Sequence, residues 1–415
     1  MLSLHQLKGM MKMNRRSISL LLLLLLVVNL TACAGKREMD ELGIVGLTAV
    51  DWDPKQQKYE IMVQVIVPSR AGGGMGGSNI QLWNATATGK TLMRASKNLR
   101  SRVSKKLVWF HSNLIIIGEQ AAKKGLKDII DFFARNKEIR YNSWVLISEY
   151  PIRETLESNP RFEGSLPSEI QGLIENNKTD WSESYSINLK DMLIRLADDD
   201  FDEITGRLTN HRPQLAPEGT YEQLDLVKDV PVDLRDVIAL SGAAVLKDGK
   251  LKGWLDRVES KGYLFIADEI EGGAIVEYSK EKEKFSAEIL SNKSKLKPEF
   301  KNGKVSFKLE VKTDVAITEA ITKLDLTKSE DIELLQKDLA KEVKKYIETT
   351  LKTAQQEYNA DIFGYGNAIY RSYPKKWEEI KDDWDQIFPT VVTDIKVEII
   401  VKRLGMISQP ITKPQ

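Results

Sequence analysis

From Tyr59 the apolar residues fall on every second position, Tyr59, Ile61, Val63, Val65 and Val67, which is the period of a β-strand with one buried face. Leu42 to Val50 is an apolar run with glycines, and Asp51-Trp52-Asp53-Pro54 separates the two with turn chemistry. An antiparallel pair is therefore expected, ended by Pro68. Thr88 opens a helical stretch, and Asn113-Leu114-Ile115-Ile116-Ile117, closed by Gly118, reads as a buried strand. Leu126, Ile129, Ile130 and Phe133 then recur at i, i+3, i+4 and i+7, on one face of a helix that keeps Lys127, Asp128, Asp131 and Arg135 largely outside. Ser143 to Ser148 returns to a short strand.

Between Glu149 and Val237 the pattern weakens around Pro151, Pro160, Pro167, Pro213, Pro217 and Pro231, as in short helices joined by loops. Period two resumes at Gly242-Ala243-Ala244-Val245-Leu246, and Asp248-Gly249 turns that run into Leu251 to Trp254 as a hairpin. Extended segments follow near 262–267, 274–278 and 285–290, and Val305, Phe307, Leu309 and Val311 alternate strictly. Ser329, with Glu330 and Asp331 behind it, caps a long helix whose stripe is Ile332, Leu335, Leu339, Val343, Ile347 and Tyr358, about 40 Å if unbroken. A last strand runs from Val391 to Val401. The pattern predicts an α+β, multidomain chain of mainly antiparallel sheets with packed helices and a long helix in the C-terminal domain. The divisions expected are 1–32, 33–195, an irregular linker 196–236, and 237–408. No internal repeat is visible.

The first 32 residues have a different character. Arg15 and Arg16 precede an uncharged run, Ile18 to Val28, containing Leu20 to Leu26, and Leu30-Thr31-Ala32 leads into Cys33. A basic segment, a short apolar segment and small residues make a secretory signal, too short for an ordinary spanning helix. Leu-Thr-Ala-Cys resembles the bacterial lipobox, which assigns Cys33 as the site of diacylglycerol attachment and the new first residue. Cys33 is the sole cysteine, which excludes internal disulfides and multi-thiolate metal sites.

The 415 residues, 42% hydrophobic and 29% charged, suit two or three folded domains. Lys plus Arg number 61 against 60 acids, and loss of Lys8, Lys12, Arg15 and Arg16 with the signal leaves 57 against 60. A mildly acidic mature chain lacks the overall cationic excess of a nucleic-acid binder. Other chemistry is sparse. Residues 72–77 are glycine-rich but carry no Lys-Ser/Thr of a phosphate loop, so they read as a surface loop. Asp198-Asp199-Asp200 lacks the spaced ligands of a calcium loop and reads as solvated surface. His111 and His211 have no partner at metal-ligand spacing, no Gly-x-Ser-x-Gly is present, and His111 suits a partly buried hydrogen-bonding role. Glu378-Glu379 and Asp382-Asp383 read as solvent-facing charge, with Trp377 and Trp384 as packing residues. No cofactor and no metal are called for.

Taken together these residues resemble the Ger(x)C family of spore-germination lipoproteins, the C subunits of nutrient germinant receptors. Cys33 to Leu42, Cys-Ala-Gly-Lys-Arg-Glu-Met-Asp-Glu-Leu, keeps the family frame after the lipidated cysteine, with Ala34 and Gly35 where the family carries Trp and Asp. The stretch His111, Leu114 to Glu119, Ala122, Gly125-Leu126, Phe132, Arg135, Glu138 and Arg140 is the most family-like. A second region runs from Gly242 to Lys247 and Gly253-Trp254-Leu255 to Trp384, Phe388-Pro389 and Gly405.

The resemblance implies a non-enzymatic subunit on the outer face of the spore inner membrane, assembled with an A subunit and a permease-like B subunit. Such a receptor senses amino acids, sugars or nucleosides and triggers release of ions and dipicolinate. The resemblance does not specify the nutrient or whether this subunit contacts it. Arg135, Glu138 and Arg140 are the candidate partner-binding residues, with a local Arg135–Glu138 helix pair as the competing reading. A solute-binding lipoprotein of a transporter and a lipid-anchored cell-wall hydrolase are the alternatives from other classes.

Overall fold

The computed structural model describes residues 41–67, 81–158, 160, 163–197, 201–209, 238–278, 284–301 and 303–405. The leader with Cys33, the glycine-rich 72–77, Asp198 to Asp200 and His211 lie outside them.

β1 (Leu42–Asp53) and β2 (Lys58–Val67) form the expected antiparallel pair, with Trp52 opposite Tyr59, and β3 (Gln81–Gly89) extends it. The Thr91 side chain caps α1 (Leu92–Arg100) by accepting from the Arg94 amide. β4 (Lys106–Val108) and β5 (Leu114–Gly118) lie end to end along the other edge of β1, both parallel to it. Two helices, α2 (Glu119–Lys124) and α3 (Lys127–Ala134), lead to β6 (Trp144–Ser148), parallel to β5. After α4 (Ile152–Glu157) and α5 (Leu166–Asn176), the short β7 (Ile187–Asn188) and α6 (Leu189–Leu196) precede β8 (Ile204–Thr209), β9 (Ala239–Lys247) and β10 (Lys250–Leu255). The main path of the sheet is β10-β9-β8-β6-β5-β1-β2-β3.

β5 is buried at all its positions, as a central strand covered on both faces must be. Ile115 and Ile117 pack with Ile129, Ile130 and Phe133 of α3 and Leu92, Ala95 and Leu99 of α1. Leu114 and Ile116 pack on the opposite side with Ile152, Leu156, Ile170 and Ile174 of α4 and α5. The first module is thus a helix-sheet-helix sandwich whose centre, β1-β5-β6-β8, is parallel. Periodicity foresaw β5, β6 and the antiparallel pair of β1 and β2, but neither β3 nor β8 nor the parallel direction of the centre, because a short apolar run looks alike in either sense and the crossover helices decide.

The second module starts at α7 (Arg257–Ala267), a helix where an extended segment was expected over 262–267, held by a capping box between Asp256 and Glu259. β11 (Ala274–Tyr278), β12 (Lys284–Lys301) and β13 (Lys304–Ile321) pair antiparallel in sequence order. The long helix α8 (Ser329–Lys352) continues through a π-helical segment, Thr353–Tyr358. Lys328 occupies the cap position with no side-chain bond, so the expected Ser329 cap does not form. Asp331 instead accepts from the Asp325 amide and ties down the preceding turn. Short helical segments over 365–390 lead to β14 (Val392–Arg403), which joins β13 in parallel. Leu335, Leu339, Val343 and Ile347 of α8 share a core with Phe285, Ala287, Phe307 and Leu309 of the sheet.

The two modules meet on β9, whose Ala243 and Val245 enter the second core while Ala244 and Leu246 enter the first. Residues beyond 237 therefore complete the first sheet before the second module begins.

α7 crosses α8 at Gly262, where a Cβ would overlap Thr350 Oγ1 and the Tyr346 carbonyl. Gly262→Ala should force the helices apart and cost about 1–3 kcal/mol, measured as a lowered urea midpoint with an unchanged m-value.

Candidate partner-binding site

α1, α3 and the hairpin ends of β1 and β2 border an open groove of about 780 Å³. At the hairpin end, the Lys124 ammonium donates to the Tyr59 hydroxyl at 2.6 Å and lies 4.5 Å from the centre of the Trp52 ring and 4.6 Å from that of Tyr59. The two rings meet edge to face at 4.8 Å. Beneath them the Asp51 carboxylate accepts from the amides of Trp52 at 2.8 Å and Ala121 at 3.1 Å, and burial raises its pKa above the ordinary value. That carboxylate occupies the space a Cβ at position 118 would take, so glycine closes β5.

At the other end the Trp109 indole donates to Thr48 Oγ1 at 3.1 Å, and the Trp109 amide to Glu138 Oε2 at 3.3 Å. Arg135 is the C-cap of α3, its side chain 79% exposed, and its Nε reaches both Asp131 oxygens at 2.9 and 2.8 Å. The helix ends at Ala134, so Arg135 pairs one turn back and not with Glu138. Arg135 and Glu138 line the groove, whereas the exposed Arg140 does not. The structure brings together two of the three candidate residues.

Trp52, Tyr59, Trp109 and Lys124 were not singled out as site residues by sequence reading, because only the strand pairing and the crossover bring them together. His111 is exposed, its ring tilted against that of Phe110 with centres 4.9 Å apart, while its neighbour Ser112 takes the buried position, which corrects the expected partly buried, hydrogen-bonding histidine. Trp377 and Trp384 do pack, edge to face at 5.2 Å, and Glu378, Glu379, Asp382 and Asp383 do face solvent.

A second cluster lies at the module junction. Asp202 accepts from the Asp361 amide at 2.7 Å, Glu203 from the Gly249 amide at 3.2 Å, and Asp361 from the amides of Tyr365 and Gly366 and the indole of Trp384. Burial pushes Asp202 up to about 6 and Glu203 and Asp361 up to about 7. Among the described residues no group of three or more His, Cys, Asp or Glu side chains could hold a metal ion. The acids serve backbone amides of the loops that join the modules.

Two family models match in order, the spore germination protein N-terminal domain over residues 35–209 and the spore germination B3/GerAC-like C-terminal domain over 241–405. Spore germination protein KC of Bacillus subtilis (strain 168) is 26% identical over 413 residues, covering 96% of this chain and 98% of that protein. Spore germination protein A3 of the same organism is 24% identical, covering 94% and 98%. The crystal structure of the GerBC protein superposes with a TM-score of 0.54 at 18% identity, over 86% of this chain and 97% of that one, and shares the fold.

Glu203 is 2% exposed with its pKa raised from 4.5 to about 7. A carboxyl that binds its proton more tightly when folded contributes stability that is complete below about 4.5 and is lost as pH rises through about 7. Glu203→Gln should flatten that decline and raise stability at pH 8 by about 1–3 kcal/mol, read from urea midpoints across the pH range.

Proposed function

The chain belongs to the GerAC-like family of spore germination proteins, and from that premise we propose that it is the lipid-anchored, non-enzymatic C subunit of a nutrient germinant receptor. The observation that carries the reading is the ordered match of both family domains along one chain, with relatives of the same length that are themselves named spore germination proteins. A role in spore germination follows at the level of the family. The receptor role is the finer step.

In this reading Cys33 carries the diacylglycerol, and the folded body sits on the outer face of the spore inner membrane. No described helix is long and apolar enough to cross a bilayer, and in this reading the lipobox supplies the attachment. Two acyl chains hold such a body firmly, at about 0.8 kcal/mol per buried methylene. Confinement at the bilayer raises the effective concentration of the body at its A and B partners without added contact area. The groove lip with Arg135 and Glu138, and Arg140 beyond it, faces those membrane subunits. Arg135 is suited to this because its guanidinium extends into solvent and its neutralising partner, Asp131, is itself exposed.

The test is a deletion strain of the source organism, scored by nutrient-triggered loss of spore refractility. Wild type should restore the response, Cys33→Ala should restore it poorly, and exogenous calcium dipicolinate should act in every strain. Normal nutrient germination in the deletion strain across a broad nutrient panel, with no related receptor present, would refute the receptor role. Arg135→Glu should keep the thermal midpoint of the wild type and reduce recovery of the membrane subunits with this chain. Undiminished recovery would remove Arg135 from the interface.

A further inference from the structure

Between Glu60 and Glu119 the sequence contains no acidic residue, and within that interval Lys90, Arg94, Lys97, Arg100, Arg102, Lys105 and Lys106 follow one another. A charge run is usually a solvated face, and such faces mix both signs so that neighbours pair. This one has a single sign. Lys90, Arg94, Lys97, Arg100, Arg102 and Lys106 are all exposed, and none is ion-paired with a described residue.

The fold sorts these cations onto one stripe. α1 buries Leu92, Ala95 and Leu99 against the sheet, which turns Met93, Arg94, Lys97 and Arg100 outward, Met93 being 56% exposed. The outer surface of α1 is thus a row of cations around one exposed apolar side chain, with its apolar face already taken up by the sheet. α1 starts beside the hairpin end of the sheet and runs back, so Arg100, Arg102 and Lys106 lie toward the end at which β1 begins. The parallel register fixes this, because Lys106 is the partner of Leu42. Nine Cα–Cα steps join Cys33 to Leu42, a reach of at most about 30 Å. An anchor at Cys33 therefore keeps the lower end of the stripe close to the headgroups. The acids nearby are Glu41 beside β1, and Asp128, Asp131 and Glu138 across the groove, of which Asp131 is held by Arg135.

We propose that the basic stripe along α1 and into β4 rests on anionic phospholipid headgroups and fixes which face of the body turns to the membrane. The proposal rests on the anchored reading for its geometry, and its chemistry can be tested without the lipid. A basic surface adds to an acyl anchor as a second attachment signal, and each basic residue at an anionic surface contributes on the order of a fivefold gain in binding. The contribution falls with salt because the surface potential decays over a Debye length. Orientation then selects which edge of the groove is presented to neighbouring membrane proteins.

The described fold begins at Glu41, so the chain from residue 33 onward with Cys33→Ala retains it and carries no lipid. In flotation assays this chain should bind vesicles of phosphatidylcholine mixed with phosphatidylglycerol, release them as salt is raised, and ignore phosphatidylcholine alone. R94Q/K97Q, which preserves helix propensity, should bind on the order of 25-fold more weakly, and R94E/K97E/R100E, which reverses three charges, more than about 100-fold more weakly. Circular dichroism and the thermal midpoint confirm folding of each variant. Equal binding to both vesicle types, or wild-type binding by either folded variant, would overturn the proposal. So would an unlipidated chain that ignores both vesicles while the reversed variant loses its membrane subunits, which would give the stripe to an acidic protein partner. Lipidation is read separately from the mass of the membrane-extracted protein, so loss of the anchor reading and loss of the headgroup contact are distinguishable.

Discussion

Burial of β9 on both faces couples the two halves of the chain. Ala244 and Leu246 complete the core of the first module, and Ala243 and Val245, one residue away on the other face, belong to the core under α7 and α8. Small residues are required because two layers close on the strand at once. Gly242 adds a backbone requirement, with a φ of 76° and no room for a Cβ beside the Leu255 carbonyl. Displacing this strand would expose apolar surface to water in both cores, so neither module keeps its full core if the other withdraws.

The β9–β10 turn extends that coupling toward the groove. The Gly249 amide donates to Glu203 from within the junction, and the Gly249 carbonyl accepts at 2.7 Å from the amide of Leu126, the N-cap of α3. Lys247 donates to the Asn359 carbonyl at 2.5 Å and to Asp385 at 2.6 Å, which secures the same hairpin to the second module. The helix that ends in Arg135 is therefore positioned at its start by a hairpin whose root lies between the modules. The buried acids resist this arrangement at high pH, since desolvation disfavours their charge, and they remain because each satisfies amides that would otherwise be orphaned.

Much of this architecture is legible in the sequence, and the illegible parts share a cause. Alternation exposed β2 and β13, helical spacing placed Ile129, Ile130 and Phe133 inward, and Asp248-Gly249 announced a hairpin, since each signal is local. The parallel direction of β5, β6 and β8 is settled by crossover helices, and the role of β9 in two cores depends on what packs against each face. Neither leaves a local trace. At the groove, Arg135 and Glu138 were visible as part of a family-like stretch, but their partners were not. Asp131 competes successfully for Arg135 because the helix stops one residue earlier, and Glu138 is taken by a backbone amide 29 residues distant. Trp52 and Lys124 come together only because β1 and β5 run side by side.

Charge arrangement separates the surfaces that face water from those that face a partner. α8 is densely charged, yet Lys341 pairs with Asp338, Lys345 with Glu342 and Lys344 with Glu348. Pairs three or four residues apart neutralise the helix locally and are worth only a few tenths of a kcal/mol each. Such a surface has little field beyond its own side chains. α1 has no acid in its first turn or anywhere along its length, and both Lys97 and Arg100 fall in its last turn, where the helix dipole favours cations. Its field is unbalanced by its own sequence and extends over roughly a Debye length into solution. The same residue types thus have opposite consequences, because a helix that pairs its charges is indifferent to its surroundings and a helix that does not is completed by an anionic one.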